Sequence, residues 1–246
     1  VEPATFLHIA DLEARSVLVT AEAKWDRPVP HCPDWDAAGL VRHGGEILRW
    51  MSAVVTSRER VARRKMEPGP EKPDDLPPWY LAALEQTMDV LGSADPDSAT
   101  WTFSSTGDHT VRWWCRRVAV EMAIHRWDID HAAQSDDNPP TRPIDGELAA
   151  VGVEEFIVEF LPGLLNQEDL EGITGTLHLH GVDGPAEWTI DLDAGGTVTP
   201  GHGPADTTIN ATRSDLLLWL VNRAPLKSLE VSGDHKLLDR WGQLEW

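Results

Sequence analysis

Apolar positions recur at helical spacing four times in the first half of the chain. From Thr5 to about Lys24, Leu7, Ala10, Val17 and Leu18, with Leu12, Ala14 and Ala21, fit a first amphipathic helix. Pro28, Pro30 and Pro33 then impose a rigid connection, because proline cannot continue a hydrogen-bonded helix. A second helix is expected to start near Asp34 or Asp36, either of which is a good N-cap, with Leu40, His43, Ile47, Trp50, Met51 and Val54 on its apolar face. Gly44 and Gly45 weaken it locally, but they also let another backbone come close. After a charged and proline-rich connection, the spacing predicts a third helix from Trp79 to Leu91, with Leu81, Leu84, Met88 and Leu91 inward. A Gly-, Ser- and Asp-rich loop leads into the strongest pattern, a fourth helix from about Trp113 to Ala133. On it Trp114, Val118, Glu121, Met122, His125, Ile129 and Ala132 share one face, while Arg116, Arg117, Ala123, Arg126 and Asp130 fall elsewhere on the surface. Four such helices suggest an antiparallel bundle.

The polar, proline-rich passage QSDDNPPTRPIDG marks a domain boundary and divides the chain into residues 1–140 and 141–246. A fifth helix, from about Asp145 to Leu161, is expected to stop before Pro162 and Gly163. The period then changes. Thr176 to His180, Glu187 to Asp193 and Thr207 to Ala211 alternate as strands do. SDLLLWLVNR reads as a short helix capped by Ser214, LEVSG as another strand, and GDHKLLDRWGQL as a closing helix. The fold class is therefore α+β, a helical bundle followed by a small mixed α/β domain.

Charge narrows the partners. A formal net charge of −20 repels phosphates at long range, which argues against nucleic acid and anionic membranes. No basic-then-apolar leader opens the sequence, and no apolar run approaches the roughly 18 to 20 residues needed to span a bilayer, so a soluble protein is expected. Cys32 and Cys115 stand in unlike contexts, which suits a reducing cytoplasm and neither a disulfide framework nor a Cys-rich zinc site.

The fourth helix carries the chemistry. Glu121 and His125 lie four residues apart inside an apolar stripe, where an unpaired carboxylate is costly to desolvate. His43 lies in the apolar face of the second helix in the same way. A divalent metal held by His43, Glu121 and His125 would leave an open position for water or substrate, and zinc is the best match to two imidazoles and a carboxylate. The same residues also fit a buried Glu121–His125 hydrogen-bonded pair with His43 as an ordinary core histidine. Asp128, one turn after His125, could orient a ligand imidazole or equally pair with an arginine. His178 and His180 share a strand face without an evident third ligand, and a solvent-facing strand is the simpler reading. His109, His202 and His235 carry no recognisable motif.

Several words of the sequence carry a family resemblance: CPDWDAAGLVRHGGEILRW, RRVAVEMAIHRWD, GPAEWTIDL, SDLLLWLVNR and LEVSGDHKLLDRW. Together they resemble the mycothiol-dependent maleylpyruvate isomerase family, whose N-terminal half looks like a DinB-type metal-binding four-helix bundle. The second domain looks sterol-carrier-like. The resemblance implies that His43, Glu121 and His125 are the metal ligands and that mycothiol is the thiol cofactor. It also implies a reaction in which the thiol adds to a conjugated cis double bond, the resulting single bond rotates, and loss of the thiol leaves the trans isomer. Where many relatives have a histidine before the central glutamate this chain has Val120, and where they have a leucine after the second-helix histidine it has Gly44. Neither change removes a ligand, and both leave room for another substrate.

Such a reaction needs no protein cysteine, and structural roles suit Cys32 and Cys115. It does need cations for anionic groups. Arg42, Arg49, Arg116, Arg117, Arg126 and Arg223 are candidates, most of them more simply read as surface charges. Arg223 is singled out for a catalytic and cofactor-binding role, because relatives have an arginine in this word and the second domain could fold over the metal pocket. The expected partners are a small-molecule substrate and a low-molecular-weight thiol, with turnover as an isomerase or a thiol S-transferase. Two other readings stay open: a metal-dependent hydrolase, and a non-enzymatic small-molecule binding protein with a structural metal.

Overall fold

Each of the four long apolar patterns folds as a helix: α1 (Pro3–Glu22), α2 (Ala37–Ser57), α3 (Leu76–Ser93) and α4 (Val111–Ala132). The computed structural model describes residues 1–134, 141–165, 174–234 and 238, and the chain divides into two compact units, Val1–Arg142 and Pro143–Trp246. In the first unit α1 packs along α4, and α2 along α3. Of the two aspartates that could start α2, Asp36 does so, its carboxylate accepting from the Gly39 N–H at 2.7 Å. The start of α3 precedes the expected Trp79, because Pro77 and Pro78 occupy its first turn, where no N–H is needed for the helix.

The buried face of α3 is also turned from the expected one. Tyr80, Ala83, Leu84, Thr87 and Leu91 are buried, while Leu81 and Met88 are only half-buried. Two polar side chains reach the core because each finds a backbone acceptor: Tyr80 donates to the Ala14 carbonyl at 3.1 Å and Thr87 to that of Leu48 at 2.8 Å. The surface expected on α4 for Arg126 and Ala123 does not exist. Almost every residue from Val111 to Ile129 is buried. Arg126 has no exposed surface and is neutralised by Glu13 of α1 at 2.8 Å and Asp130 at 3.4 Å. A helix enclosed along most of its length takes charged residues such as Arg126 inside with it, and they fold there only as pairs.

The second unit opens with α5 (Gly146–Glu155), capped by Asp145. Helical backbone does not stop at Pro162 as expected. A π-helical turn over Phe156–Phe160 is followed by the short α6 (Leu161–Leu164), with Pro162 in its first turn. The sheet comprises β1 (Thr176–Gly181), β2 (Glu187–Asp191), β3 (Thr197–Pro200), β4 (Thr207–Ala211) and β5 (Glu230–Gly233), in the order β3-β2-β1-β4-β5. Among the described strands β1 and β4 run parallel, and the other neighbours are antiparallel. The edge strand β3 was not expected, since it is four residues long, mostly exposed and ends in proline.

Between β4 and β5 lies α7 (Arg213–Leu220), capped by Thr212 instead of the expected Ser214. The Ser214 hydroxyl instead accepts from the Ile144 N–H at 3.0 Å. Leu177, Leu179, Trp188, Ile190 and Ile209 are buried on one face of the sheet, and α7 packs on β1 and β4. The alternate positions, His178, His180, Glu187, Thr189, Thr208 and Asn210, fall on the other face. The expected closing helix, with His235, lies outside the described residues apart from Leu238. Among the described residues no helix is long and apolar enough to cross a membrane.

What approaches the glycine pair of α2 is not backbone but aromatic rings. A Cβ at Gly45 would lie 2.1 Å from the Trp79 ring, and one at Gly44 would lie 3.1 Å from Tyr80. Alanine favours a helix interior over glycine by about 1 kcal/mol, yet overpacking typically costs about 1–3 kcal/mol. Gly45→Ala is therefore expected to lower stability, and an unchanged or raised denaturation midpoint would show that the α2–α3 contact is looser than described.

Candidate functional site

Two helices of the first unit bring the candidate ligands together. α4 presents Glu121 and His125 one turn apart, and α2 presents His43 from the adjoining wall. His125 Nε2 lies 3.3 Å and His43 Nε2 lies 3.6 Å from the same carboxylate oxygen, Oε1 of Glu121. Each residue offers a donor atom within 4.8 Å of the other two. The imidazoles of His43 and His125 meet edge to face with centroids 5.1 Å apart. Trp35 covers them, its ring 4.4 Å from that of His43 and 6.1 Å from that of His125.

The remaining atoms that α4 contributes to the cluster are spoken for. Arg117, one turn before Glu121, pairs with its second oxygen, Oε2. Asp128, fully buried, faces Nδ1 of His125 at 3.1 Å. Burial by itself raises the Glu121 carboxyl, but the charge of Arg117, the hydrogen bond of His125 and the nearby imidazole of His43 outweigh it and hold it well below the usual carboxylate range. Burial likewise disfavours a charged His125, yet Asp128 and Glu121 outweigh it and push that imidazole up to about 9. His43 goes the other way, because burial outweighs the pull of Glu121.

The cluster is built to accept positive charge at one point. With Nδ1 of His125 donating to Asp128, its Nε2 faces Glu121 with either a proton, giving an ion pair, or a lone pair, giving a ligand. His43 distinguishes the two uses. Its Nε2 is aimed at the same oxygen from beyond hydrogen-bond distance, and burial favours its neutral, metal-binding form. A divalent ion with bonds of about 2.0–2.2 Å would draw these donors inward by rotations of the side chains, so the donor set fits the metal that the sequence suggests.

A cavity of about 610 Å³ opens beside His43, bounded by Pro28, Pro33, Trp35, Asp36 and Arg42. Glu121 and His125 do not line it. The arginines expected to serve anionic ligands are mostly engaged elsewhere. Arg42 donates to the carbonyls of Pro70 and Glu71 at 2.9 and 3.2 Å, Arg49 lies over the Trp79 ring, and Arg126 is the buried charge on Glu13. In the second unit, Arg223 follows α7 and donates to the Val221 carbonyl at 2.8 Å. Cys115 is wholly buried, and that burial pushes its thiol up to about 11.

Arg117, a candidate cation for anionic ligands, and Trp35 take roles here that the sequence did not assign to them. The spacing of Arg117 from Glu121 is that of an i, i+4 ion pair and signals their contact. Trp35 carries no comparable signal, because its role depends on how the turn before α2 folds back.

Solved structures show the same fold. The mycothiol-dependent maleylpyruvate isomerase superposes with a TM-score of 0.59 at 12% identity, covering 91% of this chain and 90% of that one. A variant of it with one histidine replaced by alanine gives 0.62 at 11% identity, covering 94% and 93%. No curated protein matches the sequence. The profile of the mycothiol maleylpyruvate isomerase N-terminal domain matches residues 7–130, and that of the corresponding C-terminal domain residues 147–240. With these two matches in chain order, the protein belongs to the mycothiol maleylpyruvate isomerase family.

Proposed function

We propose that the protein is a metal-dependent enzyme using a low-molecular-weight thiol, mycothiol or a close analogue, to isomerise a small anionic substrate of the maleylpyruvate type. The observation that carries this is the meeting of His43, Glu121 and His125 at one carboxylate oxygen in a chain of this family. Zinc is the ion best suited to that donor set. Once bound, the ion would lower the pKa of a thiol or polarise a carbonyl, and the thiol would make a cis double bond temporarily single and free to rotate.

The protein's own groups keep that site ready. Asp128 fixes the orientation of His125, Arg117 holds the Glu121 carboxylate by its far oxygen, and Trp35 packs against both imidazoles. The cavity beside His43 has room for a small substrate. In this reading Arg223 binds an anionic group of the thiol or substrate, as the family resemblance implies. A burial-raised thiol such as that of Cys115 is a poor nucleophile at neutral pH, which supports an external thiol.

Metal content is the first check. Glu121→Gln and His125→Ala should each bind one zinc fewer than the unaltered chain, and Asp128→Asn should keep it with affinity weakened about 10- to 100-fold. Unchanged stoichiometry and affinity in Glu121→Gln would remove the metal from this site.

Turnover is the second. The zinc-loaded protein should convert maleylpyruvate only when mycothiol is present, and Arg223→Ala should lower kcat/KM about 10- to 100-fold, as expected for one lost charge-assisted hydrogen bond. Absence of any thiol-dependent isomerisation would exclude the reaction, and ester or amide cleavage without thiol would assign the site to hydrolysis.

The third check concerns the protein thiols. A thiol reagent should label only Cys32 in the folded protein at neutral pH and both cysteines after denaturation, while Cys32→Ala keeps full turnover. Loss of turnover in Cys32→Ala would mean that a protein thiol takes part.

A further inference from the structure

The polar face of the second unit's sheet holds another group of ligand-type side chains. His178 and His180 are two apart on β1, so both project from that face, and Glu187 lies directly across from His180 on β2. Glu187 Oε1 is 2.7 Å from His180 Nδ1, 3.8 Å from His178 Nε2 and 4.0 Å from His202 Nδ1. The turn after β3 is pinned here. Gly201 donates its N–H to the Glu187 carbonyl at 2.9 Å and accepts from the Thr189 hydroxyl at 3.3 Å, which sets His202 edge-on against His178 with centroids 4.7 Å apart.

His178 is the anomaly. It is only 2% exposed, yet among the described residues neither ring nitrogen has a hydrogen-bond partner. The His180–Glu187 hydrogen bond accounts for those two residues, but it leaves a buried imidazole aimed at a carboxylate oxygen that it does not reach. Unmade hydrogen bonds on buried groups are expensive, so something else satisfies His178.

We propose that His178, His180 and Glu187 bind one divalent transition-metal ion of the zinc class, with His202 as the fourth ligand. The three core donor atoms already lie within 4.8 Å of one another. Tetrahedral zinc with bonds of about 2.0–2.2 Å sets its donors about 3.3–3.6 Å apart, and rotation of the side chains supplies the difference. An entry path lies on the side of His202, which is 76% exposed and packs edge-on against His178. A four-ligand set with no open position is structural, so the ion clips the turn after the edge strand β3 onto β1 and β2. Ligands and unit both differ from those of the first centre.

Cobalt tests this, because its visible absorption reports tetrahedral binding. The full chain carrying Glu121→Gln and His125→Ala, with its folding checked by circular dichroism, should still bind one Co²⁺ per chain with that spectrum. Adding His178→Ala or the milder Glu187→Gln should abolish it, whereas His202→Ala should retain one ion at weaker affinity. The same His178→Ala and Glu187→Gln changes in the otherwise unaltered chain should lower its metal content by one ion. The proposal is overturned if the double variant binds no stoichiometric ion, or if binding survives both His178→Ala and Glu187→Gln. With the first-centre ligands already removed, either result leaves the isomerase reading untouched.

Discussion

A carboxylate buried in a helical unit must be met by positive charge or hydrogen-bond donors, and the first unit is arranged around that requirement at Glu121. Arg117 takes one oxygen; His125 and His43 converge on the other. The demand then passes outward, because His125 brings the fully buried Asp128 with it. About three turns of helix thus carry a chain of dependencies, each member tolerable only because the next is present. Removing a single partner from such a set costs more than replacing the whole set with apolar residues. A helix kept only for packing has no need of it, so its presence at the core points to chemistry.

α4 can host this set because it is enclosed. α1 covers the side where Arg126 meets Glu13, so a second ion pair, its guanidinium wholly buried, lies on another face of the same helix. Enclosure strengthens each of these interactions, since little water is left to screen them. It also fixes their geometry. Asp36 sets where α2 begins, and the Gly44–Gly45 pair lets Tyr80 and Trp79 of α3 lie against that helix, so the path of α2 and the aim of His43 are both constrained.

The second unit gathers donors by a different geometry. On a helix, ligands one turn apart come from residues four apart, as with Glu121 and His125. On a sheet they come from residues two apart on one strand and from the facing residue on its neighbour, as with His178, His180 and Glu187. The pinned turn after β3 adds His202 to this group.

The sequence by itself determined what depends on local period and local chemistry. It marked α1 to α4, the strands β1, β2, β4 and β5, the α+β class, and the placing of Glu121, His125 and His43 in apolar stripes, because a stripe is a property of one segment. Tertiary structure decided what each stripe meets. Tyr80 and Thr87 displace Leu81 and Met88 from the core because carbonyls of α1 and α2 accept their hydroxyls, and Arg126 is buried because α1 supplies Glu13. The strand β3 and the proximity of Glu187 and His202 to His178 follow from sheet register and from a turn folding back. Periodicity says which side chains point the same way; only the packed chain brings distant segments within bonding distance.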